Sequence, residues 1–136
     1  MWMSAEKSSY FEAKYPELCP IDPKAEFQHY GRMGCVGIGW FDRLDQMCKE
    51  LSELGFFVQL TCVKQKFGRL RVHFDHNRGN TEQYQAIQAI VKRAEEDCNS
   101  SCSICSLQLS EQQLSRCYGI GYLCDSCRQK HLSALV

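Results

Sequence analysis

No apolar run in this 136-residue chain approaches the roughly 20 residues that a membrane-spanning helix needs. The first fifteen residues also lack a secretory apolar stretch, since Glu6, Lys7, Glu12 and Lys14 interrupt them. Cytoplasmic residence is the expectation. Charge of one sign is missing too: 16 basic residues meet 16 acidic ones. That balance excludes a global field pulling the whole chain onto nucleic acid or membrane, so any such contact must come from a local patch. Repeats and low-complexity segments are absent. So are a phosphate-binding loop, a dinucleotide fingerprint, a nucleophile elbow and a metalloprotease helix. The expectation is a protein that is not an enzyme.

What the chain has in excess is cysteine, ten residues in all. A reducing compartment disfavours structural disulfides, so these thiols need another explanation. Cys19, Cys35, Cys48 and Cys62 are scattered through apolar or helical surroundings, and for Cys48 and Cys62 burial as small hydrophobes suffices. The other six, Cys98, Cys102, Cys105, Cys117, Cys124 and Cys127, crowd into thirty residues.

The hydrophobic pattern predicts an α+β fold. A short helix over residues 5–15 would turn Tyr10, Phe11 and Tyr15 inward. Pro16, Pro20 and Pro23, then Gly31, Gly34, Gly37 and Gly39, impose an irregular path up to Trp40. From Trp40 to Leu54 apolar residues recur in steps of three and four (Phe41, Leu44, Met47 or Cys48, Leu51), and Gly55 is placed to end that helix. Residues 56–66 and 69–75 alternate as two strands, with Val58, Leu60 and Cys62 on one face of the first and Leu70, Val72 and Phe74 on one face of the second. Phe67-Gly68 is short enough for a hairpin turn. A second long helix is expected from Thr81 to Asp97, with Tyr84, Ile87, Ile90, Val91 and Ala94 facing inward. The two helices would cover one face of a small antiparallel sheet. A further strand is expected in residues 20–38 or in the cysteine-rich segment, because two strands alone are marginal. The division expected is an α+β domain over 1–97 with a zinc-binding module over 98–136 packed on it.

Cys102-Ser-Ile-Cys105 and Cys124-Asp-Ser-Cys127 are two C-x2-C pairs separated by eighteen residues. A two-residue spacer lets both sulfurs of a pair reach one ion, and two pairs complete the thiolate tetrahedron that zinc favours. With no coordination position left open, such a zinc ion is structural. Residues 117–123 read as a hairpin arm and residues 125–135 as a helix, giving a treble-clef-like finger, with a plain zinc ribbon as the other arrangement. Cys98, Cys117 and His131 are spare ligand candidates. A redox use of either C-x-x-C would need a βαβ setting, which this segment lacks.

Lys64, Lys66, Arg69 and Arg71 form the densest basic stretch. If Phe67-Gly68 is a two-residue turn, all four share one hairpin face, where like charges repel. Two explanations stand side by side. One is a contact site for phosphate or an acidic protein, with Phe67 as an aromatic anchor and Arg78 nearby. The other is internal compensation by Glu50, Glu53, Glu95 or Glu96. His73, Asp75 and His76 could in principle bind a metal or exchange protons, but no convergent partner is visible. His29 reads as a loop or packing residue.

Several of these segments occur together in a recognisable order: Tyr15-Pro16-Glu17-Leu18, Gly39-Trp40-Phe41-Asp42-Arg43-Leu44, Lys64-Gln65-Lys66-Phe67-Gly68-Arg69-Leu70-Arg71, and the two C-x-x-C pairs. The combination resembles a family of small phage and bacterial proteins with a Gly-Trp helix, a Lys-x-Lys-Phe-Gly-x-Leu-Arg hairpin and a C-terminal cysteine module. That family usually has Glu at the position of Gln65 and often His at the position of Cys127, an exchange that keeps a zinc ligand. The resemblance implies a phage or mobile-element setting and no particular activity. The function expected is docking on a macromolecular partner, a protein first, through the basic hairpin and the aromatics beside Trp40. Nucleic-acid binding through residues 64–71 is the alternative.

Overall fold

The computed structural model describes residues 2–20, 33, 36–118 and 120–134. His29, Gly31, Gly34, Cys35 and most of the segment in which a further strand was expected lie outside these residues. Among the described residues there are four α-helices and one two-stranded antiparallel sheet, which establishes the α+β class.

Helix α1 spans Ala5–Lys14 and starts where the Ser4 hydroxyl accepts the Lys7 backbone N–H at 3.1 Å. Capping of this kind satisfies one of the donors that a helix start leaves over. Phe11 and Tyr15 are buried, and Tyr10 and Tyr15 both donate their hydroxyls to the Asp45 carboxylate, at 3.0 and 2.7 Å. Helix α2, Phe41–Ser52, buries the expected stripe of Leu44, Met47, Cys48 and Leu51. A single 3-10 turn over Ile38–Trp40 leads into it. Beyond it the chain reverses at Gly55, whose φ of +79° matches the expected left-handed stop.

Strands β1 (Val58–Lys66) and β2 (Arg69–His76) pair with Lys66 opposite Arg69 and Lys64 opposite Arg71. The loop between them is Phe67-Gly68, with φ of 53° and 78°, as a two-residue primed turn requires. The register breaks once, between Leu60 and Cys62. This bulge changes the outcome expected for β1. Simple alternation would put Cys62, Lys64 and Lys66 on the face of Val58 and Leu60. The extra residue, Thr61, reverses the parity, so that Val63 turns inward and is buried while Cys62 pairs with His73 on the outer face and is only half-buried. The bulge therefore keeps two lysines out of the core.

Helix α3 runs from Thr81 to Asn99, two residues beyond the expected end, and is capped by Asn80, whose side chain accepts the Gln83 N–H at 3.1 Å. Its inward stripe is Ile87, Val91, Ala94 and Cys98; Tyr84 stays 41% exposed beside Phe74 and His76. Helix α3 lies against β2, and α2 packs on α3. Two side chains of α3 also reach the backbone of β2: Asn99 accepts the Leu70 N–H at 2.7 Å, and Glu95 accepts the Val72 N–H at 3.2 Å. One hydrophobic core joins all these elements, centred on Trp40, Phe11, Leu44, Leu60, Leu70 and Ile87. Helix α4, Asp125–Ala134, belongs with a second, smaller cluster around Cys102, Leu109, Ile120, Leu123 and Cys124.

Gly55 and Gly68 have nearly equal φ, 79° and 78°, but different surroundings. A Cβ at Gly55 would meet open space, whereas one at Gly68 would lie 2.5 Å from the Cys117 sulfur. Gly55→Ala is expected to cost about 1–2 kcal/mol from backbone conformation alone. Gly68→Ala should cost more, and urea denaturation of the two zinc-loaded variants measures the difference.

Candidate functional site

The segment after α3 turns back on itself before reaching α4. Ser101 bridges Gln108, the Cys102 N–H donates to the Leu107 carbonyl at 2.7 Å, and the Ser106 N–H donates to the Cys102 carbonyl at 3.0 Å. This tight loop requires Ser106 to adopt a φ of 76°. It turns Cys102 and Cys105 toward Cys124, which immediately precedes α4, and Cys127, in the first turn of that helix. The four sulfurs lie within 4.8 Å of one another, and those of Cys105 and Cys124 are 3.6 Å apart. A zinc tetrahedron with bonds near 2.3 Å has sulfur–sulfur edges of about 3.8 Å, so the group is sized for that ion. Knuckle, a second small turn bridged at Tyr118 and Gly121, then a helix carrying the last ligand gives a treble-clef-like zinc module.

The surroundings of the thiols differ. Burial opposes ionisation of Cys102, but backbone N–H groups of Cys105, Cys124 and Ile104 outweigh it and hold the thiol below its ordinary range. Burial, followed by contact with the Cys124 and Cys105 thiols, pushes Cys127 up. A divalent ion bound here must displace the protons of these thiols, so its affinity rises with pH. Cys98 stands outside the group and is driven up to about 12, chiefly by burial, which keeps it a neutral core residue. Cys117 is exposed and donates to the neighbouring Tyr118 carbonyl, while His131 packs edge-on against the Tyr118 ring. Neither of these two joins the four ligands.

The module is fastened to the rest of the chain by residues from the two short sequence motifs. Trp40 donates its indole N–H to the Ser101 carbonyl at 3.4 Å, and Arg43 bonds both the hydroxyl and the carbonyl of Ser106. Gly39 donates its N–H to the Ser103 carbonyl at 3.0 Å. A Cβ on Gly37 would fall 2.3 Å from that carbonyl oxygen, and one on Gly39 would fall 2.7 Å from the Cys102 oxygen. Gln65 accepts the Gly37 N–H at 3.0 Å and donates to the Ile120 carbonyl at 3.2 Å and the Gly68 carbonyl at 3.4 Å. Residue types alone gave no sign of these roles. The Gly-x-Gly before Trp40 was the available signal for a close backbone approach. Trp40 itself is buried, and Phe41 beside it packs partly buried against the same core.

The hairpin presents Lys64, Lys66, Phe67, Arg69 and Arg71 to solvent, with the Phe67 ring 81% exposed. Among the described residues no carboxylate comes within ion-pair distance of the four cations. Of the acids considered for compensation, Glu50 pairs with Arg93 and Glu95 accepts the Val72 N–H. Arg69 lies over the Tyr122 ring at 5.5 Å, and the Lys66 ammonium is 5.7 Å from the Phe67 centroid. Arg78 does not join this group, because it follows the far end of β2, roughly 25 Å along the strand from the turn. Nor do the histidine-region residues converge. His73 and Asp75 point to the outer face, while His76 turns to the other and packs with Phe74 and Tyr84.

Zinc analysis of the purified chain is expected to give one equivalent, lost in Cys102→Ser and Cys124→Ser and retained in Cys117→Ser and His131→Asn. Stripping the metal with a chelator should abolish the near-ultraviolet signal of the tyrosines in residues 118–122. No family model, no curated protein and no solved structure matches the chain.

Proposed function

We propose that this protein is a non-enzymatic binding module whose zinc site stiffens a docking surface at the tip of the basic hairpin, and that its partner is a protein with an acidic face. The observation that carries this is Phe67. It occupies a left-handed backbone position, φ 53°, that costs a non-glycine residue about 1–2 kcal/mol. Its ring is also 81% exposed, so burial gives nothing back within the chain. Asparagine suits this turn position far better. A residue that is unfavourable for both backbone and solvent, on a firmly held turn, is the pattern of a contact residue. Four cations with no carboxylate partner among the described residues, on the same hairpin as an exposed aromatic ring, supply the residue types that anchor interfaces, and they select an acidic counterpart.

The resemblance of the motifs to small phage and bacterial proteins supports a partner in host or defence machinery. The same cations, aligned on one face, support nucleic acid as the second reading. No helix among the described residues is long and apolar enough to cross a membrane.

Phe67→Asn separates the roles of stability and contact. The variant is expected to be about 1 kcal/mol more stable to denaturant and yet to lose the partner. Affinity purification from a native host lysate, with wild type and variant as parallel baits, should return a stoichiometric protein only with the wild type. Equal recovery by both baits, or none by either, counts against the proposal. Binding of labelled DNA or RNA that falls steeply between about 50 and 200 mM salt, and vanishes in Lys64→Glu/Arg71→Glu, would favour the second reading.

A further inference from the structure

The zinc module carries a polar cleft that the hairpin surface does not use. It has a volume of about 410 Å³ and lies between the 3-10 turn at Gln113–Ser115 and the start of α4. That volume falls within the roughly 300–1,000 Å³ of small-molecule sites. Two guanidinium groups line it, Arg116 and Arg128, together with Ser110, Gln113 and the Tyr118 ring.

Arg128 makes the cleft unusual. Its Nε–H is buried and has no hydrogen-bond partner among the described residues. Neither arginine has a carboxylate within ion-pair distance among the described residues; Arg116 instead lies over the Tyr118 ring at 5.3 Å. Asp125 is the one carboxylate on the cleft, and it sits in the first turn of α4, where the positive end of the helix offsets it. Ser110 and Gln113 are held by reciprocal bonds, the Gln113 side-chain Oε1 accepting the Ser110 N–H at 2.9 Å and the Ser110 hydroxyl accepting the Gln113 backbone N–H at 3.3 Å. The amide nitrogen of Gln113 remains as a fixed donor.

From this geometry we infer that the cleft is a binding site for a phosphate group, either the free anion or a small phosphomonoester. A guanidinium offers paired N–H donors at the spacing of phosphate oxygens, and two of them match a dianion better than a single carboxylate. The terminal N–H groups of Arg116 and Arg128, both on the lining, supply the donors. The Tyr118 ring gives the organic part of an ester a surface to lie on. This inference shares no residue with the hairpin and stands or falls apart from it.

Isothermal titration of the zinc-loaded full chain tests it, with inorganic phosphate, O-phosphoserine and acetate as ligands at matched ionic strength. Saturable binding of phosphate or phosphoserine is expected, with acetate much weaker. The tighter of the first two identifies the source. Arg116→Gln and Arg128→Gln should each weaken binding about tenfold to a hundredfold while zinc content stays at one equivalent, and Arg128→Lys should weaken it less than the glutamine variant. Should Arg128→Gln lose zinc, Arg116→Gln and Arg128→Lys decide. No saturable binding up to millimolar concentrations, acetate binding as tight as phosphate, or affinity unchanged in Arg116→Gln and Arg128→Lys overturns the assignment.

Discussion

The arrangement depends on one close approach: the backbone of residues 37–39 lies directly on the backbone of the zinc knuckle. Gly37 and Gly39 have no side chain to hold the two apart, and Ser103, fully buried, sits between them and Ile120. From this contact the next residue, Trp40, enters the main core while its indole N–H still reaches Ser101. Arg43, one turn further on, holds the left-handed Ser106 from the other side. The larger core and the cysteine cluster are therefore joined through backbone and buried polar contacts. Joints of that kind tolerate little sliding, because any displacement leaves buried donors without acceptors.

Gln65 carries this constraint into the hairpin. It lies on the inner face of β1, opposite Leu70, and links the residue-37 loop, the Gly68 turn and the Ile120 segment of the module. A carboxylate at this position could accept from Gly37 but could not donate to the two carbonyls. The amide of Gln65 is therefore what lets one side chain join all three segments. The outer face of the same strand carries the cations, and the bulge at Thr61 sets that division. Hydrogen bonds of a single residue thus connect the cysteine module, the turn and the strand whose outer face carries two of the cations.

Much of this was legible in the amino-acid order, and the reasons are local. Helix α2 announced itself by its apolar stripe and its glycine stop, and the turn by a two-residue spacing between alternating strands. The four ligands were evident because C-x2-C spacing is imposed by the metal. The inward turn of Val63 was not legible, since a bulge reverses face parity without changing residue type. The end of α3 was placed two residues early because Cys98 and Asn99 are neutral in propensity and act only through tertiary contacts, one in the core and one on β2. The basic residues were visible, but that they meet no acidic partner among the described residues could be read only once Glu50 and Glu95 had been located. The cleft beside α4 combines residues from a loop and a helix, and no linear pattern marks it.

The bonds from Asn99 and Glu95 to β2 have a consequence for how the chain behaves among copies of itself. A two-stranded sheet ordinarily offers its outer backbone groups to any passing strand, and such edges seed aggregation. Here the Leu70 and Val72 N–H groups, which would receive a third strand, already point into side chains of α3. On β1 the Leu60 N–H is taken by the Leu18 carbonyl at 2.9 Å. At these positions a sheet too small to hide its edges is sealed by its own helix and by the segment that precedes it. The exposed hairpin can therefore remain charged and aromatic without recruiting a neighbouring strand at these positions.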